Sequence, residues 1–173
     1  MSMMTEAQAR AILEKVVKMS VADECTASLD GSTNGNIRFA RNDVSTSGIV
    51  DDVELGVSVA FGKRSGAATI NQFDDESLER CVRRAEELAR LAPENPEFMP
   101  AIDKQAYKPS DTFSASTAAI TPELRAKVAA ESIAASKAQS LVAAGFLEDS
   151  RGFTAFANSK GNFGYQQITG MDY

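Results

Sequence analysis

Between Asp52 and Gly62 the sequence alternates without a break. Val53, Leu55, Val57, Val59 and Phe61 are apolar, while Asp52, Glu54, Gly56, Ser58, Ala60 and Gly62 are polar or small. A period of two puts the large side chains on one face of a strand. Gly62-Lys63-Arg64-Ser65-Gly66 predicts a turn, with residues 67–73 returning antiparallel. Residues 43–50 are rich in β-branched side chains and read as another strand of the same meander. A sheet with one apolar face has to be covered there, and the flanking segments carry the periodicity of helices that would do so.

Thr5-Glu6-Ala7-Gln8 has the form of a capping box, and Ala9, Ile12, Leu13 and Val16 mark one face of a helix over residues 5–19. Asp74-Asp75-Glu76-Ser77 opens a second helix. Its stripe is Leu78, Cys81, Val82, Ala85, Leu88, Ala89 and Ala92, with Glu76/Arg80, Glu79/Arg83 and Glu86/Arg90 paired on the wet side. Thr121-Pro122-Glu123 starts a third, alanine-rich helix reaching residue 139.

Over residues 22–31, Cys25, Ala27 and Leu29 alternate with Thr26, Ser28 and Asp30. Asn34-Gly35 reads as a tight turn, because both residues accept positive φ, and residues 37–41 then form the second strand of a hairpin. Residues 141–147, 153–157 and 162–168 read as three further strands. Helix, strand, turn and strand thus occur at 5–42 and again at 121–158. Residues 93–116 contain Pro93, Pro96, Pro100 and Pro109 and predict a long irregular loop. The expected class is α+β: an antiparallel sheet of hairpins with helices on one face, and a helix-strand-strand plan seen twice.

Composition narrows function mainly by exclusion. The chain has 173 residues and no histidine, which removes the commonest general base and every His-containing zinc site. Two cysteines cannot build a Cys₄ site; Cys25 and Cys81 fall on apolar faces and read as buried free thiols. A net charge of −6 argues against nucleic acid as a partner. No apolar run approaches a membrane span and no signal peptide is evident, so the expected location is the cytoplasm. Asp51-Asp52 and Asp74-Asp75 are the only carboxylate pairs that could serve a self-sufficient hydrolase, and they read as a turn and a helix start. Ser159 has no base at a recognisable spacing.

The order of the pieces resembles the N-terminal domain of the TldD/PmbA family, the modulator-of-DNA-gyrase metallopeptidases. The residues that carry the resemblance are Arg38-x-Ala40-x-Asn42, Gly56-Val57-x-Val59, Lys63-Arg64-x-Gly66, Ala68-Thr69-x-Asn71, the helix over 78–92, and Ala157-Asn158-Ser159-x-Gly161. The resemblance implies an N-terminal domain over residues 1–161, with residues 162–173 starting a C-terminal peptidase domain that lies outside this sequence. Family members carry zinc there on an HExxxH helix, and a sister subunit type lacks it. The implication is a chain with no catalytic residue, metal ligand or cofactor of its own. Its expected role is to wall a peptide-substrate channel and contact a TldD/PmbA-type partner in a homo- or hetero-oligomer.

Arg38, Asn42, Arg64, Asn71, Asn158 and Ser159 are the family-motif positions marked as candidate substrate or subunit contacts. For the motif glycines and these polar positions, turn, strand-end and packing roles stand beside the functional ones. The alternative function is a stand-alone peptide-binding or assembly module that uses an exposed sheet edge. Nothing after residue 168 would shield the last strand, so the final residues are expected to be loosely held or paired with another copy.

Overall fold

The computed structural model describes residues 3–173. Along the chain lie α1 (Glu6–Met19), β1 (Glu24–Ala40), β2 (Asp43–Phe61), β3 (Arg64–Ile70), α2 (Asp75–Leu91), α3 (Ala115–Ala118), α4 (Pro122–Ala138), β4 (Gly145–Asn158) and β5 (Phe163–Asp172). The strands form one antiparallel sheet in the order β3-β2-β1-β4-β5. Among the described residues no helix is long and apolar enough to cross a membrane. The class is α+β, as the sequence predicts.

One face of the sheet holds both hydrophobic core clusters. Odd-numbered residues of β1 share this face, since β1 pairs with β4 in unbroken register. At one end Cys25, Ala27 and Leu29 join Leu55, Val57, Val59, Phe153, Ala155 and Ala157 beneath α1 and α2. At the other end Ile37, Phe39 and Leu147 meet Ala129 and Ile133 of α4. The doubled plan in the sequence is therefore α1-β1-β2 followed by α4-β4-β5. Because β1 and β4 run antiparallel side by side, the two helices land on the same face at opposite ends.

The helix starts follow the sequence. The Gln8 N–H donates to Thr5 Oγ1 at 3.3 Å while Gln8 Oε1 accepts from the Thr5 N–H at 2.9 Å, a reciprocal capping box. Asp74 caps α2 by accepting from the Ser77 N–H at 2.9 Å, and these hydrogen bonds hold its carboxyl below the usual range.

Four expectations are corrected. Asn34-Gly35 is not a turn: β1 runs straight through it, with Asn34 opposite Val50 and Gly35 opposite Ile49. The reversal comes at Arg41 and Asn42, with φ of 54° and 62° between the paired Ala40 and Asp43. Positive φ at both positions is what a two-residue hairpin of this hand demands. Residues 43–50 and 52–61 are one strand, β2, and its turn to β3 is only Gly62-Lys63, since Phe61 already pairs with Arg64. Residues 141–147 and 153–157 are not separate strands either; the single strand β4 takes in 145–147 of the first and all of the second.

The fourth correction concerns the last strand. β5 pairs with β4 along Phe163–Asp172, and its outer edge is partly covered by the chain's own loop. The Thr169 N–H donates to Thr112 O at 3.0 Å, the Thr112 hydroxyl donates to Gln167 O at 2.6 Å, and the Ser114 N–H donates to Thr169 Oγ1 at 2.9 Å. The shielding element lies upstream in sequence, where the last dozen residues could not reveal it.

Candidate functional site

The six marked positions do not converge. Asn158 lies opposite Thr26, so Arg38, twelve residues further along β1, is roughly 40 Å away at about 3.3 Å per residue. Arg38 and Asn42 occupy one end of the sheet. Arg64, Asn158 and Ser159 occupy the other, and Asn71 follows β3 on the surface.

Their contacts tie the chain together. Asn42 clamps the lead-in to β4: its Nδ2 donates to Leu141 O at 2.9 Å and its Oδ1 accepts from the Ala143 N–H at 2.7 Å. Arg38 lies 5.8 Å over the Phe146 ring. The exposed Arg64 guanidinium is 3.8 Å from Glu94. Asn158 Oδ1 accepts from the Lys160 and Asn162 N–H groups, both at 3.1 Å, and shapes the β4–β5 turn. Ser159 exchanges hydrogen bonds with Cys25, donating its N–H at 2.8 Å and accepting on Oγ at 3.2 Å. These two bonds join the end of β4 to the start of β1. Both cysteines are free and buried; burial pushes the Cys25 thiol up to about 11, against a smaller opposing hydrogen bond from Ser20, and raises Cys81 as well.

Three polar residues that sequence reasoning passed over hold the architecture. Glu86 was expected on the wet side of α2 and is buried. It accepts from the Val21 N–H at 2.8 Å, the Ser20 hydroxyl at 3.1 Å and Arg83 at 2.7 Å, fastening the end of α1 to α2. Burial pushes its carboxyl up, but these hydrogen bonds outweigh it and leave it below the usual range. Its contribution is therefore full above the unfolded-state pKa and lost as pH falls through the lowered folded value.

Asn162, also buried, anchors the long loop. Its Oδ1 accepts from the Gln105 N–H at 2.7 Å and the Tyr107 hydroxyl at 3.3 Å, and its Nδ2 donates to Ile102 O at 3.1 Å. Tyr107 then meets Phe156 edge-on at 5.4 Å, so the loop crosses the face opposite the helices. Arg125 of α4 is 2% exposed and donates to Asp149 at 2.5 Å. Its guanidinium lies against Gly35, where an added Cβ would sit 2.1 Å from Nη1. That explains a glycine in the middle of a central strand.

The face away from the helices is polar. Even-numbered residues of β1, β2 and β4 point there, and a cleft of about 450 Å³ opens among Asp30, Ser32, Asn34, Asp52, Glu54 and Thr154. This surface offers hydroxyl, amide and carboxylate groups along an extended floor. Among the described residues no group of three His, Cys, Asp or Glu is placed to hold a metal ion. The residues present do not fit zinc, because the chain lacks histidine and its thiols are buried.

Comparison with known proteins agrees with this architecture. The profile of PmbA/TldA metallopeptidase domain 1 matches residues 26–89, which is β1, β2, β3 and most of α2. No curated protein matches in sequence. Among solved structures, TldE from Thermococcus kodakarensis superposes with a TM-score of 0.83 at 15% identity, over 94% of this chain and 37% of that one. A candidate modulator of DNA gyrase from Thermotoga maritima gives 0.77 at 14% identity, over 96% and 38%. Another from Bacteroides thetaiotaomicron gives 0.73 at 17%, over 96% and 40%. The chain thus spans about two-fifths of the length of the structures it matches. The β1-to-α2 unit thus matches the family model, and nearly the whole chain shares the fold of TldE and of the two gyrase-modulator candidates.

Proposed function

We propose that the chain is the non-catalytic N-terminal domain of a TldD/PmbA-type metallopeptidase, or of its zinc-less sister subunit, in protein maturation by proteolysis. It walls the channel that receives a peptide and contacts a partner subunit. The observation that carries this reading is the match to the first metallopeptidase domain in a chain that contains no histidine. On this reading the domain contributes shape and surface, and any zinc chemistry is supplied from outside this chain. The polar open face suits a channel wall. Its central strands β1 and β4 are paired on both sides, so a peptide passing over them meets side chains and not unsatisfied amides.

The test is reconstitution. A TldD/PmbA-type protein shortened by its own first domain is mixed with this chain, and casein cleavage is followed. Cleavage should recover with the intact chain and not with a Val59→Asp variant. No recovery, with both pieces folded by circular dichroism, would count against the reading.

A further inference from the structure

Arg125, the fourth residue of α4, is buried but only partly matched by its neighbours. Its Nη1 donates to Asp149, while Nε and Nη2 have no hydrogen-bond partner. Among the described residues no other buried side-chain nitrogen or oxygen lacks one. A buried N–H without an acceptor is costly, the more so on a charged group, and calls for an explanation. Nε and Nη2 are also the side-on edge of the guanidinium, whose two parallel N–H bonds are spaced for the two oxygens of a carboxylate. The start of a helix is a poor place for a cation, because the dipole is positive there.

Arg125 lines a cavity of about 230 Å³ on the helix-covered side of the sheet. The cavity sits at Thr33 and Gly35 of β1, between Leu29 of one core cluster and Ile37 of the other. Arg151, exposed and donating to Ala118 O at 3.2 Å, lines it as well. The lining therefore sets two guanidinium groups against the single carboxylate of Asp149, in a chain of net charge −6. Two further acids lie close by without lining the cavity. Asp51 accepts from the Thr33 hydroxyl at 2.6 Å. Glu123 accepts from its own N–H and from Thr121, which holds its carboxyl below the usual range and uses up a donor of the helix start. The free donors are thus those of Arg125 rather than those of the α4 backbone.

We propose that this cavity binds a small aliphatic carboxylate, whose two oxygens accept from Nε and Nη2 of Arg125 while its carbon chain lies against Ile49, Ile120 and Pro122. Those apolar walls favour an organic acid over inorganic phosphate. The volume lies below the roughly 300–1,000 Å³ of drug-sized sites, which suits an acid of a few carbons. A free acid and the C-terminal end of a peptide present the same group. Both nitrogens are shut off from water, so entry requires the 119–121 link between α3 and α4, part of the lining, to give way. The site goes beyond the peptidase reading and does not depend on it: carboxylate binding without reconstituted cleavage would uphold one and count against the other.

Calorimetric titration of the intact chain tests the proposal. Isovalerate should bind, and its uncharged amide and inorganic phosphate should not. Arg125→Lys keeps the charge but loses the fork, and should weaken binding about tenfold or more, the worth of one charge-assisted hydrogen bond. Arg151 is exposed, so Arg151→Gln should fold normally and weaken binding severalfold; it decides the matter if Arg125→Lys is unfolded by circular dichroism. Alanyl-alanyl-valine, free or amidated at its C-terminus, separates the two sources. Binding of the free peptide and not of its amide marks a peptide end, and isovalerate bound without the peptide marks a free acid. Failure of both isovalerate and the free peptide to bind, equal binding of the amides or of phosphate, or binding indifferent to every variant that folds would overturn the proposal.

Discussion

Val59→Asp is expected to leave the chain unfolded at neutral pH, while Ser58→Asp, one residue away, melts close to the parent. Val59 is 1% exposed, in the core beneath α1 and α2, and the apolar residues around it offer a carboxylate no partner. An unpaired charge in such a place costs several kcal/mol against a total stability of about 5–15 kcal/mol. Ser58 points to the opposite face and is exposed, with Gly56 and Ala60 as its same-face neighbours along the strand. Urea melts followed by circular dichroism separate the two variants. Equal destabilisation would mean that the faces are wrongly assigned or that both are covered.

Gly66→Val should also be severe, for a different physical reason. A Cβ built on Gly66 would lie 2.3 Å from the Ala89 nitrogen and 2.5 Å from the Ala85 carbonyl oxygen, both backbone atoms of α2. No rotamer change relieves that, so α2 must lift off β3, opening the contact made by the buried Ala85 and Ala89. Overpacking of this kind costs about 3 kcal/mol, the upper end of its usual range. Gly62→Ala provides the comparison. Gly62 has φ of +57° and open space around its Cα, so it should lose only the modest strain of a left-handed turn residue. If Gly66→Val melts like the parent, α2 is not seated on β3 as described.

What the sequence disclosed follows from which forces are local. The alternation from Val53 to Phe61 survives because both neighbours of each large residue are polar or small, and it marks the covered face correctly. The Thr5 and Asp74 caps are equally visible, since each partner is three residues away. β1 is harder to read. Gly31 and Gly35 stand where its alternation would show apolar side chains, and Asn34-Gly35 has every local preference for a turn. Gly35 is glycine for a reason ninety residues distant, the Arg125 guanidinium lying against it.

Glu86 and Asn162 were missed on the same account. A buried polar residue is recognisable only by its partners, and theirs lie at Ser20 and Val21, and at Ile102, Gln105 and Tyr107. Asn42, Asn158 and Ser159 hold turns and strand ends, the roles that short polar side chains beside reversals most often take.

On the proposed function, a chain that matches PmbA/TldA metallopeptidase domain 1 over residues 26–89 and contains no histidine supplies no zinc chemistry of its own. Zinc content and casein cleavage, measured together on the purified chain after dialysis against zinc-containing and then metal-free buffer, address it most directly. The account predicts zinc far below one ion per chain and no cleavage above buffer. One tightly held zinc per chain, or proteolysis that follows the protein through a second purification, would contradict it.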